Sequence, residues 1–265
     1  MARLIKEWQL MLVAIGFFTR IPVPASIQVD SDKLNHASRY FGLVGILMGS
    51  VCGLALVILA QWLPISVVVI IVMLLSVLLT GAFHEDGLAD TADGFGGGWQ
   101  VSDKLAIMKD SRLGTYGAVA ILLILLLKWQ ALTLLAEHSL IAAVVALVLA
   151  HGLSRVLAAS LIYTETYVRD EGKSKPLANQ QQPIDLGILL LTALVLVFSL
   201  PLSTIMVLGI GLISCRQLLV LWFRRQIGGY TGDTLGAAQQ LSEVLIYLLL
   251  LAITGSQLMP WIPLI

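Results

Sequence analysis

Charge is what this sequence has least of. Of its 265 residues only 12% are charged and 58% are apolar, whereas a soluble domain carries roughly a quarter charged residues. A chain of this size cannot hide that much apolar surface inside itself, so the surrounding solvent is expected to be lipid. Acidic and basic residues balance at 16 each. That balance removes the positive excess a phosphate-backbone binder relies on, so no nucleic-acid partner is expected. Cysteine is scarce too. Cys52 and Cys215 both lie in apolar runs without metal-ligand spacing, and they read as packing residues rather than as a disulfide framework or a zinc site. The N-terminus has no small-x-small cleavage pattern, since Arg20-Ile-Pro-Val-Pro24 closes the first apolar stretch. A cleavable leader is therefore not expected.

Long apolar runs are what the chain does have. A spanning helix needs about 20 mainly apolar residues, and the runs near 41–61, 64–84, 115–135, 140–162, 187–200, 203–223 and 243–262 meet or approach that length. The fold class that follows is all-α: a polytopic membrane helical bundle of about seven transmembrane helices, forming a single integral membrane domain over 1–265. Residues 4–19 are apolar but flanked by basic residues at both ends, which suggests an additional N-terminal helix that is interfacial or re-entrant.

Basic residues set the orientation, because Lys and Arg are retained on the cytoplasmic side. With alternating spans, Arg3, Lys6, Arg20, Lys33 and Arg39 share one face with Lys104, Lys109 and Arg112. Arg169, Lys173 and Lys175 fall on the same face, as do Arg216, Arg224 and Arg225. Lys128, read near a far-side end, is the exception. Trp261 is expected as an interface anchor, and His36 and His138 as surface residues. No inverted repeat is visible, which argues against many transporter architectures.

On the cytoplasmic face the run after Ile65 continues as His84-Glu85-Asp86-Gly87-Leu88-Ala89-Asp90-Thr91-Ala92-Asp93-Gly94. Asp86, Asp90 and Asp93 stand at i, i+4 and i+7, within an arc of roughly 60° on one helix face. Stacked carboxylates repel one another, and a bound cation relieves the repulsion. Hard oxygen ligands suit Mg²⁺ or Mn²⁺, and Mg²⁺ commonly joins one or two carboxylates to substrate phosphates. The glycine run Gly96, Gly97 and Gly98 follows at once and would let backbone approach a ligand.

Lys109-Asp110-Ser111-Arg112 lies farther along the same loop, with two donors suited to phosphate oxygens around Ser111. The last charged loop, Gly228-Gly229-Tyr230-Thr231-Gly232-Asp233-Thr234-Leu235-Gly236, looks too glycine-rich for a helix interior. It offers Asp233 as a further metal ligand, with Gln239 and Glu243 following as the final span opens. His151 and Arg155 lie one turn apart inside an apolar span, where an arginine is expected to face a cavity or a partner.

Basic groups, acidic clusters and glycine loops on one face point to metal-assisted chemistry on a phosphorylated substrate. Asp90-Thr-Ala-Asp93-Gly94 has the D-x-x-D-G core of CDP-alcohol phosphotransferases but lacks the rest of their signature. A membrane prenyltransferase and an ion or solute transporter are the other readings. The fuller resemblance is to the cobalamin synthase (adenosylcobinamide-GDP ribazoletransferase) family. It is carried by Phe17-Phe-Thr-Arg-Ile-Pro-Val-Pro24, by His84 to Gly94 with Gly96-Gly-Gly98, by Lys109-Asp-Ser-Arg-x-Gly-x-Tyr-Gly117 and by Gly229-Tyr-Thr-Gly-Asp-x-Leu-Gly-Ala-x-Gln239.

The resemblance implies Mg²⁺-dependent joining of adenosylcobinamide-GDP to α-ribazole or its 5′-phosphate. GMP is released, and adenosylcobalamin or its 5′-phosphate forms at the cytoplasmic face of a bacterial inner membrane. On that reading Asp86, Asp90, Asp93 and Asp233 hold the metal, Lys109 and Arg112 neutralise phosphate oxygens, and Glu85 is the general base. Gly96, Gly97, Gly98, Ser111, Arg155, Gly229, Thr231, Gly232 and Gln239 are expected substrate contacts. Assembly as a homo-oligomer, or with other cobalamin-assembly enzymes, is left open.

Overall fold

In the computed structural model, which describes residues 2–24, 27, 31–169 and 181–255, the chain is a succession of helices joined by short turns. They run α1 (Ala2–Phe18), α2 (Ser31–Ala37), a 3-10 turn over Ser38–Tyr40, α3 (Phe41–Leu59), α4 (Ile65–Thr80), α5 (Phe83–Gly97), α6 (Val101–Ile107), α7 (Thr115–His138), α8 (Leu140–Thr164), α9 (Pro183–Val197), α10 (Leu202–Ile227) and α11 (Gly232–Gly255). Five helical stretches are long and apolar enough to cross a membrane: Lys33–Leu59 and the helices α7, α8, α10 and α11. Counting α4 and α5 together as one bent span makes six. The expected all-helical membrane bundle is thus observed. The remaining expected spans are short: α4 has 16 residues and α9 has 15, so each is about 22–24 Å long against a hydrocarbon core of about 30 Å.

The apolar residues partition as a lipid solvent demands. α8 and α11 are mostly enclosed by the other helices, while α7 and α10 face outward. Leu122, Leu123, Leu126 and Leu127 on α7, like Ile210, Ile213, Leu218 and Leu221 on α10, are exposed, in patches that water would not tolerate. Association among the helices relies on small residues that let backbones touch. On α3, a Cβ at Gly49 would lie 2.6 Å from the Leu147 carbonyl oxygen of α8, and one at Gly45 would collide with the His151 carbonyl.

Several positions differ from expectation. The run 64–84 does not continue straight into the acidic segment. Gly81 (φ 67°) and Ala82 (φ 57°) both adopt left-handed backbone, and α5 leaves α4 at 88°. Gly81 is needed twice over, because a Cβ there would also strike the Arg20 guanidinium. The last helix opens at Gly232 rather than near 243, so the loop thought too glycine-rich for a helix supplies its first turn. Arg216 lies within α10, not in the loop after it, and bonds Ser160 Oγ at 2.8 Å.

Lys128 is not at a far-side end. It is buried in the middle of α7. His36 is not a free surface residue either, since its Nδ1 lies 3.0 Å from Asp185 Oδ2. Residues 4–19 do form a helix, and its Leu10, Val13, Ala14 and Phe18 are buried, the last three against α2 and α3. Lys173, Lys175 and Trp261 lie outside the described residues.

Candidate active site

The break at Gly81-Ala82 decides what the acidic segment can do. Because α5 turns away from α4, its carboxylates run across the helix ends instead of extending a span. Asp86, Asp90 and Asp93 do share a helical segment, as their spacing requires, but they meet three environments: Asp86 is exposed, Asp90 half-buried and Asp93 buried.

Each oxygen of Asp93 accepts one backbone hydrogen bond. Its Oδ2 accepts the Gly114 N–H at 2.7 Å and its Oδ1 accepts the Gly117 N–H at 2.8 Å. These are two of the N–H groups that open α7 and have no intrahelical partner, so Asp93 ties the start of α7 to α5. Neither Gly114 nor Gly117 could carry a side chain, since a Cβ at either would strike the carboxylate.

The second acid enters from α11. Thr231 and Thr234 cap its first turn reciprocally: the Thr231 N–H donates to Thr234 Oγ1 at 2.8 Å, and the Thr234 N–H donates to Thr231 Oγ1 at 3.3 Å. Gly87 and Gly236 then allow α5 and α11 to cross almost backbone to backbone. A Cβ at Gly87 would be 2.8 Å from the Asp233 carbonyl oxygen and 3.2 Å from Gly236 Cα. This crossing brings Asp233 beside the Asp86–Asp90 face. Partial burial pushes the Asp90 carboxyl up to about 7, and the nearby charges of Asp233 and Asp86 add to the shift. A cation placed among these groups would relieve that repulsion.

Arg169 is the countercharge that sequence reasoning missed. The strand-like segment after α8 is strapped to the loop before α11. The Tyr230 N–H donates to the Thr166 carbonyl at 2.9 Å and the Val168 N–H to the Tyr230 carbonyl at 3.1 Å. The strap delivers Arg169 to Asp233 at 2.6 Å, where Asp233 Oδ2 is buried and off the angle for a hydrogen bond. Gly229 serves the strap as well, because a Cβ there would collide with the Thr166 carbonyl. No signal in the sequence separates Arg169 from its basic neighbours.

Glu85 sits to one side of the acidic face. Gln240 Nε2 donates to its Oε1 at 3.0 Å, and its Oε2 is buried without a partner. Behind Gln240 lies a buried polar network on α7, α8 and α11. Lys128 Nζ meets Glu243 Oε1 at 2.8 Å and donates to Gln240 Oε1 at 2.9 Å. Gln239 Nε2 donates to Glu243 Oε2 at 2.6 Å and to Ser154 Oγ at 3.0 Å. Arg155 is buried on α8, donating through Nη1 to the His151 carbonyl at 2.9 Å, while its Nε has no partner. It lines a pocket shared with His84 of α5 and with Gly232, Gly236 and Gln239 of α11.

The other expected contacts lie at the end of α5 and in the turn before α7. Lys109, Ser111 and Arg112 are exposed in the turn between α6 and α7. Arg112 folds back on Asp110, with Nε 2.9 Å from Oδ2, and holds that carboxyl below its usual range. Gly96 and Gly98 pack closely against Tyr116 and Lys104, where a Cβ would approach to 2.6 Å in each case, whereas Gly97 has only Ile107 nearby. Among the described residues no three His, Cys, Asp or Glu side chains are gathered as a ready metal-ligand set. The donors that fit a hard divalent cation are Asp86, Asp90 and Asp233, with the lone pairs that Asp93 retains after its two backbone bonds.

Comparison with known proteins gives a consistent picture. The family model described as cobalamin-5-phosphate synthase matches residues 10–251. A protein of Shewanella oneidensis named adenosylcobinamide-GDP ribazoletransferase is 55% identical over 252 residues, covering 94% of this chain and 96% of the relative. Proteins of the same name from Shewanella sp. W3-18-1 and Shewanella frigidimarina are each 58% identical, covering 95% and 94% of this chain respectively and 96% of each relative. No solved structure matches the chain.

Proposed function

The chain belongs to the cobalamin-5-phosphate synthase family, and on that premise we propose that it transfers the adenosylcobinamide-phosphate moiety of adenosylcobinamide-GDP to α-ribazole or α-ribazole 5′-phosphate, releasing GMP. The observation that carries the chemistry is the convergence of Asp233 on the Asp86–Asp90 face at the Gly87–Gly236 crossing. Four carboxylates and one arginine at a helix junction make a poor packing core and a suitable seat for a diphosphate held through a divalent cation.

Mg²⁺ bound there would neutralise the charge that develops on the phosphate oxygens and on the departing GMP. Asp86, Asp90 and Asp233 are the residues that would hold it. Asp93 keeps α7 docked and so sets the height of the acidic face. Glu85 is the group suited to take the proton of the attacking ribose hydroxyl. Gln240 pins one of its oxygens and leaves the other without a hydrogen-bond partner, so that oxygen has a lone pair to accept the proton. The hydroxyl oxygen forms its bond to the cobinamide-linked phosphorus as the bond to the GMP oxygen breaks. Arg169 already lies against Asp233 and is the cation nearest to the incoming phosphates. Lys109 and Arg112 would meet them from the exposed turn that Gly114 ties to Asp93.

The orientation of basic residues supports an active face turned to the cytoplasm of a bacterial inner membrane, where nucleotide substrates are found. The test is Mg²⁺-dependent GMP release from adenosylcobinamide-GDP and α-ribazole by the purified protein in lipid nanodiscs. Turnover without a divalent cation, or turnover retained in Asp90→Asn, would overturn the assignment.

A further inference from the structure

Stability alone does not explain why α7 carries a lysine at position 128. A buried ion pair is often no more stable than two apolar side chains of similar volume, yet Lys128 and Glu243 are both buried. Their neighbours close a ring. Lys128 Nζ meets Glu243 Oε1 at 2.8 Å and donates to Gln240 Oε1 at 2.9 Å. Gln240 Nε2 donates to Gln239 Oε1 at 2.9 Å, and Gln239 Nε2 returns to Glu243 Oε2 at 2.6 Å. A lysine has only donors and a carboxylate only acceptors. The Gln240 oxygen must therefore face Lys128 and the Gln239 nitrogen must face Glu243, so neither amide can turn over without breaking the ring. Gln239 uses its second N–H on Ser154 Oγ at 3.0 Å. The second N–H of Gln240 is the one that leaves the ring, and it goes to Glu85 Oε1 at 3.0 Å.

We propose that Lys128 is a positioning residue for the transfer: it locks the Gln240 amide so that one N–H points at Glu85, and that bond sets the direction of the second Glu85 oxygen. The inference rests on the reading of Glu85 as the general base. A glutamate has three rotatable bonds, and its carboxylate plane turns easily. A base must hold one oxygen within hydrogen-bond reach of the proton it takes, so a glutamate left to sample other rotamers is out of line for part of its time. A reversed Gln240 amide would set oxygen against oxygen at Glu85 and push the carboxylate away. Lys128 thus acts at two hydrogen bonds' remove, through Gln240 to Glu85. The three residues stand on α7, α11 and α5, so the same bonds make the docking of three helices a condition for an aligned base.

The experiment measures GMP release by the full chain in nanodiscs. The variants are Gln240→Met and the pair Lys128→Met/Glu243→Met, which removes both charges of the ion pair together with the donor that faces Gln240. Each should lower kcat by about tenfold to a hundredfold, the scale of a misaligned catalytic group. The KM of adenosylcobinamide-GDP and of α-ribazole should stay within about twofold of wild type. Combining all three substitutions should cost no more than Gln240→Met alone, because Lys128 acts through Gln240. Losses that multiply, a wild-type kcat in either variant, or a KM that rises as kcat falls would overturn the proposal. Gln240→Glu keeps the volume and the acceptor for Lys128 and loses only the donated N–H. It should show the same fall in kcat, and it decides the outcome where a Met variant does not fold; wild-type kcat in it would sink the idea. Glu85→Gln separates the two readings. If it keeps wild-type kcat, the base assignment fails and the role of Lys128 with it. If it is inactive while Gln240→Met turns over at the wild-type rate, the base stands and only the positioning role fails.

Discussion

Lys128 of α7 and Glu243 of α11 form an ion pair at 2.8 Å in the middle of the bundle, with both side chains less than a tenth exposed. Neither helix could carry its charge into lipid alone. The pair fixes the rotation of α7 against α11, and through Gln240 it reaches Glu85.

Breaking this pair on one side should be far worse than removing both charges. Lys128→Met leaves buried Glu243 without its ion-pair partner and with only the hydrogen bonds from Gln239 and Tyr247, at a cost of about 3–5 kcal/mol. The double variant Lys128→Met with Glu243→Gln should recover most of that loss. Thermal melting in nanodiscs checks this, and additive losses would show that the two residues do not act as a pair.

Asp90 and Asp93 share a motif but should fail differently. Asp90→Asn removes a crowded charge that touches no backbone group, so turnover should be lost while the melting temperature holds or rises. Asp93→Ala strips two N–H groups at the start of α7 of their acceptors, and should lower stability by about 1–2 kcal/mol as well as activity. GMP release and melting, measured on the same preparations, separate the two roles.

Gly87→Ala tests the crossing that assembles the site. The added methyl would have to displace α11 at Asp233, at a cost of about 1–3 kcal/mol. The expected signature is a fall in kcat larger than the loss of stability would suggest. Unchanged kcat would show that the α5–α11 spacing is not critical.

At the proposed metal site, Arg169 and a metal ion would compete for Asp233. In Arg169→Ala the carboxylate is freed, so half-maximal activation should need several-fold less Mg²⁺ even though kcat falls. A Mg²⁺ titration of GMP release checks it, and a rightward shift would mean that Arg169 helps to hold the metal site together.

The acidic face could be read in advance because its logic is local. An i, i+4, i+7 spacing needs only the helical repeat, and Asp86, Asp90 and Asp93 do lie on one helix. The strap that carries Arg169 to Asp233 could not be read. It depends on one backbone bridge between segments 63 residues apart, Tyr167 and Tyr230, and backbone pairing leaves no side-chain signature. Lys128 was misplaced for a related reason. A lone basic residue in an apolar run looks like a flank until the helix that neutralises it is known.

The sequence by itself determined the solvent and the class of chemistry. Apolar runs of spanning length point to lipid, and clustered carboxylates beside basic residues point to a cation and an anionic substrate. Only the tertiary structure decided how those groups divide their work. It shows that Asp93 is engaged with backbone, that Asp233 opens a helix, that Arg155 lines a pocket shared with α5 and α11, and that α5 breaks from α4 at Gly81. Each of these outcomes depends on which backbone comes within contact distance of which side chain. That is settled by close packing between helices distant in sequence, which no local pattern encodes.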